Sequence, residues 1–154
     1  MNGIPLFTVR RASWDEAGNQ LRAIRAAVFI DEQNVPVELE WDGRDTHSLH
    51  VVAVSESGEA VGTGRLLPDG HIGRMAVLKP WRGRGVGRAV LLELLAAAGE
   101  KGFTSVELNA QTRAVDFYAR FGFEAVGREF LDAGIPHRAM HMDLVKRKHE
   151  PFRA

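Results

Sequence analysis

Residues 81–88 read Trp-Arg-Gly-Arg-Gly-Val-Gly-Arg and run straight into the apolar stretch Ala89 to Ala98. Glycines at every second position opening into an apolar helix leave few architectures available. Gly83, Gly85 and Gly87 permit φ > 0 and close approach of a ligand, so consecutive N–H groups and the positive end of the helix dipole can face an anion. Arg82, Arg84 and Arg88 add fixed positive charge. The lysine and Ser/Thr of a Walker A motif are absent, and so is the third glycine that a dinucleotide-binding loop places three residues after its second. The spacing therefore predicts a pyrophosphate site that serves neither a transferable γ-phosphate nor a nicotinamide.

The 154 residues are 45% hydrophobic, enough for one substantial core, and nothing in the length asks for a second domain. We expect one domain over residues 1–145 and a C-terminal tail over 146–154. No stretch has the pattern of a signal peptide or the length of a membrane span, so a cytoplasmic protein is expected. The absence of cysteine removes disulfides, thiolate metal sites and acyl-cysteine intermediates. Group transfer is then direct or uses another nucleophile.

Twenty basic and twenty acidic side chains cancel, which argues against general nucleic-acid or membrane-surface partners. Their distribution is uneven. Gly70 to Leu92 contains no acid but carries Arg74, Lys79, Arg82, Arg84 and Arg88, whereas Asp31 to Asp45 holds six acids against Arg44 alone. Two halves of a site with opposite sign would follow; two ordinary solvated loops are the alternative.

Ser13-x-x-Glu16 is a capping-box pattern before helical spacing at Leu21, Ile24, Val28 and Phe29, so a first helix is expected from about Trp14 to Ile30. Three apolar runs follow, Leu49 to Val54, Ala60 to Leu67 and His71 to Leu78, separated by turn chemistry at Ser57-Gly58 and Pro68-Asp69-Gly70. They predict an antiparallel meander. After the glycine-opened helix, which should end at Gly102, Ser105 to Gln111 alternates as a strand. A β-α-β unit makes that strand parallel to His71 to Leu78. A short helix from Thr112 to Phe121 and a hairpin turning at Asp132-Ala133-Gly134 complete the reading.

This order of elements, with the Arg-x-x-Gly-x-Gly loop (Arg82, Gly85, Gly87) and Ala114-Val115-Asp116-Phe117-Tyr118 leading to Gly122-Phe123, resembles the GNAT superfamily of N-acetyltransferases from about Val51 to Leu144. Glu32-Gln33-x-Val35, Ala110-Gln111 and Gly134-Ile135-Pro136-His137 further resemble one bacterial subgroup. The resemblance implies an α/β (α+β) single-domain fold: a mixed, mostly antiparallel central sheet with a splayed parallel strand pair and helices on both faces. It also implies acetyl-CoA as cosubstrate. The pyrophosphate would lie on the loop formed by Arg82, Gly83, Arg84, Gly85, Val86, Gly87 and Arg88. Pantetheine would pair with the backbone of Met75, Ala76 and Val77, near Gln111, Ala114 and Phe117. A family asparagine is replaced here by Gln111.

The function implied is direct transfer of an acetyl group to a primary amine, on a small molecule or on a peptide or protein. The alternative is a non-catalytic acyl-CoA-binding or sensor module. Tyr118 is the candidate acid for the departing thiolate, because a phenol of pKa about 10 is close to a thiol near 8.5. A core aromatic is its bland reading. The base is left open among Glu32, Asp42, Asp45, His47, His71 and Glu107. Glu32, Asp42 and His137 are the candidate acceptor contacts, and the acidic segment favours a cationic amine. No metal is expected, since His47-x-x-His50 and His137 with His141 lack ligand geometry. An exposed C-terminal hairpin is compatible with a homodimer.

Overall fold

The computed structural model describes residues 6–144, so the expected tail 146–154 lies outside the described residues. A seven-stranded sheet with order β1-β2-β3-β4-β5-β7-β6 forms the middle layer. Its strands are β1 (Phe7–Ala12), β2 (Leu49–Ser55), β3 (Ala60–Leu66), β4 (His71–Val77), β5 (Ser105–Gln111), β6 (Glu124–Asp132) and β7 (Ile135–Asp143). Every pairing is antiparallel except β4 with β5.

Helices cover both faces, and alternation along β2 shows how. Val51 and Ala53 point into the large core under α3 (Val86–Glu100), while Val52 between them joins Leu21 and Ala17 of α1 (Trp14–Arg25). α3 lies close to the sheet because β3 offers glycines beneath it. A Cβ on Gly62 would stand 2.5 Å from Val86 Cγ1, and one on Gly64 would stand 2.7 Å from Leu94 Cδ1. Gly102, at φ +89°, ends the α3 segment, and the Phe103 N–H returns to Ala98 O at 3.1 Å.

The capping box forms as expected, with Glu16 N–H donating to Ser13 Oγ at 3.1 Å and Ser13 N–H to Glu16 Oε1 at 3.0 Å. The first helix differs from expectation after that. α1 stops at Arg25 and continues as a π-helical turn over Ala26–Glu32, where bonds reach five residues back, as from Gln33 N–H to Val28 O at 3.2 Å. A further short helix, α2 (Val37–Glu40), follows Pro36.

β1 is an element that the sequence reading lacked. It pairs with β2 along its whole length, and its Arg11 reaches across to Glu93 and Glu100 of α3 at 2.6 and 2.7 Å. At the other edge, the β6–β7 hairpin turns at Ala133 (φ +52°) and Gly134 (φ +78°), the two-residue turn that needs positive φ at both positions. Ala133 bears the strain of that region. Ala133→Asn is expected to raise the melting temperature by about 2–4 °C, from roughly 1 kcal/mol of relief; an unchanged midpoint by calorimetry would contradict it.

The feature that positions the site is the β4–β5 junction. Only His71 with Glu107 and Ile72 with Leu108 are in register, and beyond them the strands diverge. β4 also carries a bulge between its pairings with Thr63 and Arg65, where Arg74 takes φ +49°.

Candidate active site

A cleft of about 990 Å³ occupies the divergence, lined by Met75, Ala76 and Val77 of β4 and by Gln111 and Ala114 beyond β5. It runs through the sheet. Gly87, Phe117 and Tyr118 line it on the α3 side, and Val28, Phe29 and Gln33 line it on the α1 side. His137 also lines it. Of the residues expected at the site, Gly83, Arg84, Gly85, Val86 and Arg88 lie beyond this lining, as do Glu32 and Asp42.

In the glycine loop, Gly83 (φ +75°) and Gly85 (φ +85°) take the left-handed region, and Gly85 caps α3 without any side-chain partner. Gly87 departs from the expectation of positive φ, because it sits in the first turn of α3. What its missing side chain leaves is room: a Cβ there would stand 3.6 Å from Phe117 Cζ and 3.9 Å from Val77 Cγ2. The first N–H groups of a helix have no intrahelical acceptor, so those of Val86, Gly87 and Arg88 face outward from this end. Arg84 stacks over Trp81 at 5.3 Å. Arg82 is already engaged, donating from Nε to Val77 O and from Nη2 to Glu32 Oε1, each at 2.9 Å.

Gln111 accepts from Arg113 Nε at 3.1 Å and donates to Gln33 Oε1 at 2.8 Å. Glu32 and Gln33, neighbours at the end of the π turn, therefore hold residues on opposite sides of the divergence.

Tyr118 belongs to α4 (Val115–Ala119) and meets Phe117 and Phe123 edge-on, with ring centroids 5.0 and 6.0 Å apart. Burial pushes its phenol up to about 12. The close match to a thiol that the sequence reading assumed is thereby lost.

The acidic segment does not form the open negative mouth expected of it. Arg25, 1% exposed, donates from Nε to Glu40 Oε2 and from Nη1 to Asp45 Oδ1, both at 2.6 Å. Arg65, 3% exposed, bonds Asp42 at 2.6 Å and Asp45 at 2.9 Å. Arg74 reaches Asp42 at 3.4 Å and lies 3.2 Å from Glu40. With Glu32 on Arg82, four of the six acids in Asp31 to Asp45 are in ion pairs. Burial opposes the ionisation of Asp42 and Asp45, but the guanidinium bonds outweigh it and hold both below the usual carboxylate range. For Glu40 burial wins, and its value rises despite Arg74 and Arg25. No sequence spacing linked these partners, which lie 15 to 50 positions apart. Asp42, one of the expected acceptor contacts, has its carboxylate bound by Arg65 and Arg74.

The histidines are also placed. His50 is buried and Nε2 donates to Asp45 O at 2.9 Å. His47 closes a 3₁₀ turn, Asp45–His47. His71 lies between Asp69 and Glu107, at 3.0 and 3.1 Å from its two nitrogens. His137 Nδ1 donates to Ile135 O at 2.7 Å while the ring stacks on Phe130. Among the described residues, no three His, Asp or Glu side chains gather as a metal set, and no helix is long and apolar enough to cross a membrane.

A sheet split by diverging parallel strands, with a glycine loop at the start of a buried helix beside the split, invites comparison with known proteins. Residues 15–144 match the family described as acetyltransferase (GNAT) domain. The chain is 44% identical over 124 residues to the uncharacterized N-acetyltransferase YjcF of Bacillus subtilis, covering 78% of this chain and 88% of that protein. It is 34% identical over 144 residues to the uncharacterized B. subtilis protein YyaT, covering 90% and 97%. The solved structure of Escherichia coli ElaA superposes with a TM-score of 0.80 at 28% identity, covering 88% of this chain and 99% of that one. An acyl-CoA N-acyltransferase from Pseudomonas aeruginosa gives 0.76 at 31% identity, covering 90% and 99%. The chain belongs to the GNAT acetyltransferase family and is an acyl-CoA-dependent acyltransferase.

Proposed function

We propose that the protein transfers an acetyl group from acetyl-CoA directly to a primary amine. The observation that supports this reading best is a cleft passing through the sheet, with an uncapped helix end and a phenol on one side and an open approach on the other. Two reactants can then meet from opposite faces, which removes the need for a covalent enzyme intermediate.

The N–H groups of Val86, Gly87 and Arg88 suit a pyrophosphate. Leu78 N–H donates to Val61 O of β3 at 2.9 Å, so strand alternation directs the Val77 N–H the other way, into the divergence. In our reading that N–H stabilises the oxyanion as charge develops on the thioester oxygen. Tyr118 donates a hydrogen bond to the departing sulfur. Acetyl-CoA supplies the activated acyl carbon. The paired acids leave no charge argument for a polycation, so the acceptor is proposed only as a primary amine.

The test has two parts. Mass spectrometry of products from acetyl-CoA with ethylamine, spermidine, lysine and glucosamine should show an N-acetyl product together with free CoA thiol. Gly87→Val should weaken CoA binding at least about tenfold, or 1.4 kcal/mol, by calorimetry, because the new side chain enters the space between Phe117 and Val77. A folded Gly87→Val protein with unchanged CoA affinity contradicts the loop assignment.

A further inference from the structure

The cleft needs a group that takes a proton from the incoming ammonium. Glu40, Asp42 and Asp45 are bound by arginines, Glu32 by Arg82, and both nitrogens of His71 lie against carboxylates. His137 differs. A carbonyl oxygen only accepts, so the 2.7 Å contact to Ile135 O fixes the proton on Nδ1 and leaves the lone pair of the neutral ring on Nε2. Nε2 has no protein partner among the described residues, and the half-buried ring lines the cleft.

Register gives its side of the sheet. His137 pairs with Gln111, whose face is opposite to that of Ala110, Leu108 and Val106 in the core under α3. The ring therefore stands on the α1 face and Tyr118 on the α3 face. From this geometry we propose that His137 is the general base for the amine, an inference that rests on the amine-acetylation reading above.

The proton account balances. Nε2 takes one proton from R–NH₃⁺, giving imidazolium and a neutral amine. The nitrogen pair then forms the C–N bond, and the C–S pair leaves with sulfur. The second nitrogen proton passes to solvent, the sulfur takes its proton from water while accepting a hydrogen bond from Tyr118, and the imidazolium returns its proton to solvent. The products are the amide, CoA thiol and one released proton. Imidazole suits the task because one ring nitrogen can be anchored as a donor while the other offers a basic lone pair. Stacking on Phe130, with centroids 5.9 Å apart, helps hold the ring.

The experiment compares wild type, His137→Gln, His137→Ala and Asp132→Asn; Asp132 is a cleft-lining carboxylate at the hairpin corner. Each is assayed with acetyl-CoA and either the best acceptor of the four amines above or hydroxylamine, which is mainly neutral at pH 7 and needs no base before attack. Both His137 variants should lose about 10²-fold in kcat with the amine and far less with hydroxylamine. CoA affinity and melting temperature should be unchanged, and free imidazole should restore part of the His137→Ala rate. Equal losses with both nucleophiles would reduce His137 to a structural role. Full activity of His137→Gln overturns the proposal, and a loss confined to Asp132→Asn transfers the role to that carboxylate. A wild type that acetylates none of the four amines removes the underlying reading instead, so the two failures are distinguishable.

Discussion

Replacing Tyr118 with phenylalanine is expected to lower kcat by roughly 10²-fold or more and to leave the dissociation constant of CoA nearly unchanged. The ring and its edge-on contacts to Phe117 and Phe123 survive, so only the hydroxyl is removed. With the phenol raised to about 12, full proton transfer to a thiolate whose acid form lies near 8.5 is uphill by about 5 kcal/mol. The hydroxyl then acts as a hydrogen-bond donor that stays protonated at every working pH. The pH profile of kcat should accordingly show no alkaline limb from Tyr118 between pH 7 and 10. Wild-type turnover in Tyr118→Phe, measured by thiol release, would show that the departing sulfur does not depend on this hydrogen bond.

Arg25→Met should be the most damaging single substitution for stability. It leaves Glu40 and Asp45, 3% and 6% exposed, without their strongest partner. Breaking a buried pair from one side costs about 3–5 kcal/mol, which at about 2–4 °C per kcal/mol lowers the midpoint by about 6–20 °C. Acid should act through the same cluster. Asp42 and Asp45 have folded values below their unfolded ones, so their stabilisation is present above about pH 4 and disappears as pH falls further. Glu40 acts in the opposite sense, because its folded value is raised. Thermal melts of Arg25→Met within about 2 °C of wild type would show that the cluster contributes little.

The fold was legible where local signals and order agree. The capping box, the meander and the glycine-opened helix each carry a pattern within one segment, and a β-α-β connection requires β5 to run parallel to β4. β1 escaped because its apolar alternation ends after Phe7 and Val9, with Arg11 at the next position of that face, and its pairing with β2 spans about forty residues of chain. The arginine–acid cluster escaped for a related reason. Charge along the chain says how many acids a segment has, but their neutralisation depends on side chains delivered by α1, β3 and β4.

The π turn has one more consequence. Each residue of an α-helix advances about 100° around its axis, and the wider turn over 26–32 resets that phase just before Glu32 and Gln33. These two side chains act as the tips of a caliper, one on Arg82 beyond β4 and the other on Gln111 at the end of β5. Deleting one residue within the turn would swing both tips away together, so the gap between the strands is gauged by the winding of a helix that belongs to neither.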